Sequence, residues 1–173
     1  MARITSRITI GISAALFGKE GTPCFDKALL AQLSGHPDIE MVIMEADKTH
    51  ILAEDAERFD AVYLMLERVT GDAIDTPARK LKLIARHGVG FDTVDIPGVS
   101  RLGIIVTNTP AAVRRPVASM AMTMLLSLSH RLIEKHNLTR AGRWADSPDF
   151  MGMGLTAKVL GVLGAGSIGS EIL

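Results

Sequence analysis

Short apolar runs of strand length recur along residues 1–108, and their spacing limits the fold more than any other feature. Five of them are candidate strands: Ile8 to Ile12, Ile39 to Met44, Ala61 to Leu66, Leu81 to Ala85 and Ile104 to Thr107. Helix-start signals lie between them, at Thr22-Pro23, at Thr76-Pro77 before Ala78, and at Asp95 with Pro97. Because parallel strands need crossover connections, the pattern predicts an α/β fold with a parallel sheet covered on both faces.

A glycine-rich segment follows a further apolar run near the end of the sequence. Val159 to Leu163 is predicted as a strand and is followed by Gly164-Ala165-Gly166-Ser167-Ile168-Gly169. In this pattern the first glycine permits a tight turn, the second a close approach of the backbone to a pyrophosphate, and the third the packing of a new helix. We predict a dinucleotide-binding loop; the alternative is an ordinary glycine-rich turn. NAD and NADP are not separated, because the acidic residue that would indicate the cofactor is expected about twenty positions later, after Leu173.

A second glycine pair lies where the predicted strand from Leu81 to Ala85 ends. Gly88 and Gly90 flank Val89, and adjacent N–H groups in such a turn can converge on a carboxylate. Spacing alone leaves an anion-binding turn and a plain glycine turn equally open. His87 could be an acid or a base, but the interpretation as a strand-end histidine capped by backbone is favoured. Arg86 either faces the anion or is solvated.

Charge and residue content argue against several functional classes. The 19 Lys and Arg residues balance 19 Asp and Glu residues, which gives no electrostatic case for nucleic acid or an acidic membrane. The apolar run from Val117 to Leu128 is shorter than the roughly 20 residues that a bilayer requires. A single cysteine, Cys24, suits the cytoplasm, and the five histidines show no metal-ligand spacing, so we assign no metal.

From Val113 to Gly142 the pattern becomes that of one long helix, starting near Pro116. Met120, Met124 and Leu128 share one helical face, and the run is too long for a strand. Such a helix would span roughly 40 Å, so we expect it to cross between domains or to reach a neighbouring subunit. Ser147-Pro148 and Gly152-Met153-Gly154 then predict a flexible surface connection.

Taken in order, these segments resemble the D-isomer-specific 2-hydroxyacid dehydrogenase family. The resemblance covers essentially the whole chain and is carried by residues 81–95, 108–110, 117–118, 140–144 and 164–169. It implies a flavodoxin-like substrate domain in residues 1–108 and an interdomain and dimerisation helix with its connection in 109–150. It also implies the first strand and glycine loop of a Rossmann NAD(P)-binding domain in 151–173. Ser119 departs from the family, which usually has an acidic residue there.

The resemblance also implies roles for individual residues. It places the substrate carboxylate on the backbone of Val89 and Gly90, which favours the anion-binding turn. It places Thr123 near the nicotinamide of NAD or NADP, and it assigns the pyrophosphate loop to Gly164, Gly166, Ser167, Ile168 and Gly169. The implied reaction is reversible hydride transfer between the nicotinamide and a small 2-oxo or D-2-hydroxy acid, in a homodimer that pairs through the 113–142 helix.

The implied catalytic residues fall outside this sequence. In the family an Arg, a Glu and a His follow the glycine fingerprint, so the resemblance places all three downstream of Leu173 and assigns no catalytic residue within the chain. We therefore expect the chain alone to be inactive, to bind nucleotide weakly, and to aggregate or pair. Two other functions remain open: a nucleotide-sensing protein similar to the C-terminal binding protein corepressors, and a freestanding flavodoxin-like binding module made of residues 1–108.

Overall fold

Five parallel strands form one sheet in the computed structural model, which describes residues 7–173. They are β1 (Ile8–Ile12), β2 (Ile39–Ile43), β3 (Ala61–Leu64), β4 (Leu83–Arg86) and β5 (Ile105–Thr107). Their order is β2-β1-β3-β4-β5, and every neighbouring pair runs parallel. This is the strand order of flavodoxin-like sheets, so the predicted α/β fold is confirmed.

The helices that connect the strands are α1 (Lys27–Ser34), α2 (Ala53–Arg58), α3 (Gly71–Ile74) and α4 (Ile96–Arg101), with a 3-10 helix at Ala14–Leu16. The Asp95 and Pro97 signal is confirmed, because the Asp95 carboxylate accepts a 3.1 Å hydrogen bond from the N–H of Gly98 and so caps α4. Gly35 is the C-terminal cap of α1.

Two predicted helix starts are wrong. Pro23 pairs with Phe17 in an isolated bridge, and α1 begins only after Asp26, whose carboxylate accepts from the N–H of Ala28 at 2.8 Å. After Thr76-Pro77 there is only a turn, because the N–H groups of Lys80 and Leu81 both donate to the carbonyl of Ala56 instead of continuing a helix. The connection from β3 to β4 is made by α3, which lies before Thr76.

Alternation along the strands separates a buried face of the sheet from a partly covered one. Val62, Leu64 and Ile84 are fully buried in a core shared with residues of α2, α3 and α4. On the same sheet Gly11 leaves room for a core ring, since a Cβ there would lie 2.8 Å from Cδ2 of Phe59. The opposite face bears Tyr63 and Ala85 and borders an apolar groove of about 540 Å³ beside α1.

The chain divides into two compact units, of which the second is Ala111–Leu173. The predicted single helix from Val113 to Gly142 is wrong, because there are two helices, α5 (Pro110–Ser129) and α6 (Leu132–Arg140). Arg131 separates them with a left-handed φ of 51°. Its guanidinium bonds Glu134 at 3.3 Å and lies 5.1 Å from the ring centre of Phe150, contacts that hold the corner in place. Helix α5 also starts six residues before Pro116, and this proline lies inside it.

The segment after α6 differs from its prediction in two places. Residues Trp144–Phe150 form a 3-10 helix rather than a flexible connection, and the N–H of Met153 donates to the carbonyl of Ser129 at 2.6 Å. Val159 to Leu163 is not a strand, and Val159 is 96% exposed. A strand needs a neighbouring backbone to pair with, and residues 111–173 contain no strand beside this segment. Within residues 7–173, no helix has both the length and the apolar character to cross a bilayer.

Candidate functional site

The glycine turn after β4 is held in place by the residues that follow β5. Gly88 has a positive φ of 101°, a conformation that favours glycine. Its N–H donates to the hydroxyl of Thr109 at 3.0 Å, and its carbonyl accepts from the Thr109 N–H at 2.8 Å. The side chain of Asn108 donates to the carbonyl of Val89 at 2.9 Å. The turn after β4 is therefore shaped by two side chains that follow the neighbouring strand β5.

The N–H groups of Val89 and Gly90 are the unpaired donors of this turn. Neither donates a hydrogen bond to another residue in the described part of the chain, and the Val89 side chain is 42% exposed. The exposed carboxylate of Asp92 is also close to the turn, 3.5 Å from the position of a Cβ on Gly90. An anion bound here needs a compensating positive charge, because Asp92 would otherwise repel it.

Arg86 supplies a positive charge beside the turn. Its Nη1 lies 3.9 Å from the position of a Cβ on Gly88 and donates to the carbonyl of His87, so the side chain is not simply solvated. Its Nε is buried and has no hydrogen-bond partner among residues 7–173. The guanidinium therefore lies close to Gly88, where the carbonyl of His87 holds it.

His87 is bonded by a side chain rather than capped by backbone, so the predicted backbone cap of its ring is wrong. Its Nδ1 lies 2.6 Å from the hydroxyl of Tyr63, and the two rings meet edge to face at 5.7 Å. Burial, and then the charge of Arg86, lower the pKa of His87 below its ordinary value of 6.5. Burial, and then the thiol of Cys24, raise the pKa of Tyr63 above 10.0. Both side chains are therefore neutral near pH 7.

Sequence reasoning did not identify Tyr63. Tyr63 pairs with Ala85 in the β3–β4 register, and Ala85 and His87 alternate onto the same face of the sheet. A tyrosine at the end of one strand and a histidine just past the end of the next were the available signals. The pairing itself depends on the register of two strands that are distant in sequence.

In the second unit the fingerprint glycines form a closed turn before α7 (Gly169–Ile172). Gly164 has a positive φ of 93°, and a Cβ on Gly169 would overlap the carbonyl oxygen of Gly164. Gly166 faces open space, since a Cβ added there would meet no atom of the described residues within 4 Å, and Ser167 is exposed. The turn thus leaves its middle residues accessible to a ligand while its first and last glycines contact each other.

The remaining predicted residues of this unit are less distinctive. Thr123 is exposed on α5, and its hydroxyl donates to the carbonyl of Ser119 at 2.8 Å within the helix. Ile168 directly precedes α7, and the helix is tied to α5 through Glu171, which lies 3.0 Å from Arg114 and 2.7 Å from Arg115. Among residues 7–173 no group of three or more His, Cys, Asp or Glu side chains is placed to hold a metal ion.

The sequence and the structure of this chain are similar to those of one family of proteins. Residues 16–166 match the family described as D-isomer specific 2-hydroxyacid dehydrogenase, catalytic domain. The glyoxylate reductase of Thermococcus gammatolerans is 36% identical over 129 residues, which cover 70% of this chain and 38% of the relative. The chain therefore spans about two fifths of the length of this curated relative.

Two solved structures show the same fold. The NAD-dependent formate dehydrogenase of Staphylococcus aureus in complex with NAD is 25% identical, with a TM-score of 0.73 over 95% of this chain and 52% of that one. The NADPH-dependent glyoxylate/hydroxypyruvate reductase of Sinorhizobium meliloti in complex with citrate is 26% identical, with a TM-score of 0.68 over 96% of this chain and 49% of that one.

Proposed function

This chain belongs to the D-isomer-specific 2-hydroxyacid dehydrogenase family, as its sequence predicts, and from that premise we propose its part in the reaction. It contributes the carboxylate-binding turn of an enzyme that transfers hydride between a nicotinamide cofactor and a small 2-oxo or D-2-hydroxy acid. One observation carries the proposal. The N–H groups of Val89 and Gly90 have no hydrogen-bond partner among the described residues, and they lie where β4 ends.

The chemistry of the turn fits a carboxylate. Two adjacent backbone N–H groups can each donate to one anionic oxygen, and the fixed geometry at Gly88 means that little ordering is needed on binding. Arg86 offsets the repulsion from Asp92. The carboxyl ends of parallel strands are where ligands of such sheets bind. The protein would therefore hold the acid by its carboxylate and leave the adjoining carbon free to react.

For the cofactor we propose NAD or NADP, held by the glycine turn of the second unit. The accessible backbone at Gly166, Ser167 and Ile168 fits a pyrophosphate, since a side chain at Gly166 would occupy the space that a phosphate needs. Thr123 is proposed to lie on the nicotinamide side of that site, as the family resemblance implies. When bound, the nicotinamide ring carries the hydride.

We propose that two copies of the chain pair through the α5–α6 region. Met120, Met124 and Leu128 form an exposed stripe on α5, and Leu128 is 79% exposed. Pairing of two such stripes would remove these methionine and leucine side chains from water. We further propose that the protein works in the cytoplasm, where the exposed thiol of Cys24 would stay reduced.

The 173-residue chain by itself is proposed to be inactive. The resemblance assigns no residue of this chain to the roles of the catalytic Arg, Glu and His of the family. We expect purified chain to cause no oxidation of NADH in the presence of glyoxylate or hydroxypyruvate. Turnover of either acid by the pure chain, measured as loss of NADH absorbance, would contradict this.

The carboxylate site is tested by nuclear magnetic resonance on ¹⁵N-labelled chain. Addition of D-lactate should shift the amide signals of Val89 and Gly90 in a saturable way. The amide signals of Gly18 and Gly154 are internal controls, because these residues lie outside the turn. Unchanged Val89 and Gly90 signals at saturating acid would refute the proposed role of the turn.

A further inference from the structure

Tyr63 and His87 form a polar pair next to the point where the strand order reverses. In the order β2-β1-β3-β4-β5 the reversal lies between β1 and β3, and the crevice outside such a point is the usual ligand site of this sheet type. The N–H of Ser13, directly after β1, donates to the carbonyl of Tyr63 at 2.9 Å. The hydroxyl of Tyr63 then reaches His87 across the end of β4 at 2.6 Å.

The position of the Tyr63 ring is fixed on both sides. It meets the ring of Phe25 edge to face at 5.8 Å, and the ring of His87 in the same way at 5.7 Å. The backbone of His87 is fixed as well, because its N–H donates to the carbonyl of Leu64 at 2.7 Å. The imidazole therefore has a defined orientation and does not swing freely at the strand end.

The hydrogen bond to Tyr63 involves Nδ1 of the imidazole and leaves Nε2 without a side-chain partner among the described residues. A phenol hydroxyl can donate to an unprotonated ring nitrogen or accept from a protonated one; where Tyr63 donates to Nδ1, the proton of the neutral ring is on Nε2. Nε2 makes no hydrogen bond to another of the described residues and is not buried, so it faces solvent. In the tautomer in which Tyr63 donates, the pair presents one N–H donor beside the glycine turn.

We propose that His87 is a specificity-determining residue of the acid site, and that Tyr63 is its positioning residue. This inference rests on the proposed function, in which Val89 and Gly90 hold the carboxylate. The Nε2–H of His87 would donate to an oxygen on the third carbon of the acid, and acids that carry a hydroxyl there would be preferred. Only Gly88 separates His87 from Val89, so their Cα atoms lie within about 7.6 Å of each other. In this proposal a three-carbon acid anchored at Val89 and Gly90 extends towards the imidazole.

The test uses two acids that differ only in the hydroxyl on the third carbon, D-glycerate and D-lactate. Their affinities for the ¹⁵N-labelled chain are read from the amide signals of Val89 and Gly90. The wild-type chain should bind D-glycerate about two- to tenfold more tightly than D-lactate, the effect of one net hydrogen bond. In His87→Leu the two affinities should become equal. His87→Gln should keep part of the preference, because its side-chain amide can donate from nearly the position of Nε2.

Tyr63→Phe separates positioning from packing. It keeps the ring that packs on Phe25 and removes only the hydroxyl, so the fold should be retained, as circular dichroism would show. The preference for D-glycerate should fall towards that of His87→Leu. The imidazole ¹⁵N signals of His87 should also change from one tautomer, with the proton on Nε2, to a mixture. A purely structural tyrosine would leave that tautomer ratio unchanged.

The outcomes distinguish this inference from the proposed function. Shifts of Val89 and Gly90 with equal affinities for both acids in the wild-type chain would overturn the role of His87 and leave the carboxylate site standing. If His87→Leu still binds D-glycerate more tightly than D-lactate, the role of His87 is likewise overturned and the carboxylate site stands. If neither acid moves the two amide signals, the carboxylate site is refuted and the role of His87 with it.

Discussion

Gly71 and Gly98 touch backbone to backbone, so that α3 and α4 meet without a side chain between them. A Cβ on Gly71 would lie 2.7 Å from the Cα of Gly98, and a Cβ on Gly98 would lie 2.9 Å from the nitrogen of Gly71 and overlap the Asp95 carboxylate. That carboxylate accepts from the N–H of Gly98 at 3.1 Å and from the N–H of Gly71 at 3.2 Å. Two helices of the core unit therefore share one acidic cap.

Gly98→Ala should destabilise the chain by about 2 kcal/mol, because the added methyl group forces two backbones and a carboxylate apart. Urea unfolding followed by circular dichroism measures the change. Gly18→Ala is the matched control, since its Cβ would lie at an ordinary 3.6 Å from the carbonyl of Thr22. Equal unfolding midpoints for the two variants would contradict the close contact.

Asp95 should make stability depend on pH in the acid range. The hydrogen bonds from Gly98 and then Gly71 hold the pKa of Asp95 below its ordinary value of 3.8, so the unfolded chain binds a proton more readily than the folded one. The stabilisation is complete above the unfolded pKa and is lost as the pH falls through the folded pKa. Asp95→Asn should therefore be less stable than wild type at neutral pH, with a difference that narrows in acid.

Urea unfolding at several values between about pH 6 and pH 2.5 measures that difference. Asp72→Asn, at an exposed position of α3, is the control and should follow the wild-type pH dependence. A constant gap between Asp95→Asn and wild type across this range would show that the charge of Asp95 is not what the two N–H groups stabilise.

Thr109→Val should weaken carboxylate binding by about three- to tenfold, the effect of losing the hydrogen bonds that hold the turn. Valine has nearly the shape of threonine, but it can neither accept from the N–H of Gly88 nor donate to its carbonyl. Thr109→Ser keeps the hydroxyl and should bind D-lactate almost as well as wild type. The affinities come from the Val89 and Gly90 amide signals, and the same loss in both variants would mean that the hydroxyl does not shape the turn.

Leu128→Lys should shift the proposed pairing of two chains towards monomer by at least about tenfold, since a lysine charge would be buried in an apolar contact. Sedimentation velocity over a concentration series measures the shift. Ser119→Lys carries the same charge on the opposite side of α5 and should leave the association unchanged. Pairing that resists Leu128→Lys, or that is lost equally in Ser119→Lys, would exclude this stripe as the contact.

Local signals in the sequence predicted well those parts of the fold that local physics determines. Asp95 and Pro97 start a helix because the cap acts within three residues, and the alternation of strands and connections is sufficient to predict the parallel sheet. The break at Arg131 was not predictable, because it depends on Phe150 and on the carbonyl of Asp149, eighteen residues further on. Val159 to Leu163 has the residues of a strand but no neighbouring strand to pair with.

In the candidate site, too, the local features were predictable from the sequence and the contacts between distant residues were not. The spacing of Gly88 and Gly90 pointed to the turn, since a positive φ at Gly88 is a property of the local backbone. The partner of His87 was missed because Tyr63 is 24 residues away and meets it only through the β3–β4 register. Contacts between strand ends are the part of a site that an unaligned sequence does not specify.

The overlap that a side chain at Gly169 would make with the carbonyl of Gly164 has a practical meaning for protein engineering. The bend of that loop is held within residues 164–170, since the hydroxyl of Ser170 donates to the carbonyl of Ala165 at 3.0 Å and no strand adjoins the loop. A short cassette cut from this stretch should therefore keep its bend when transplanted between a strand and a helix of another α/β scaffold.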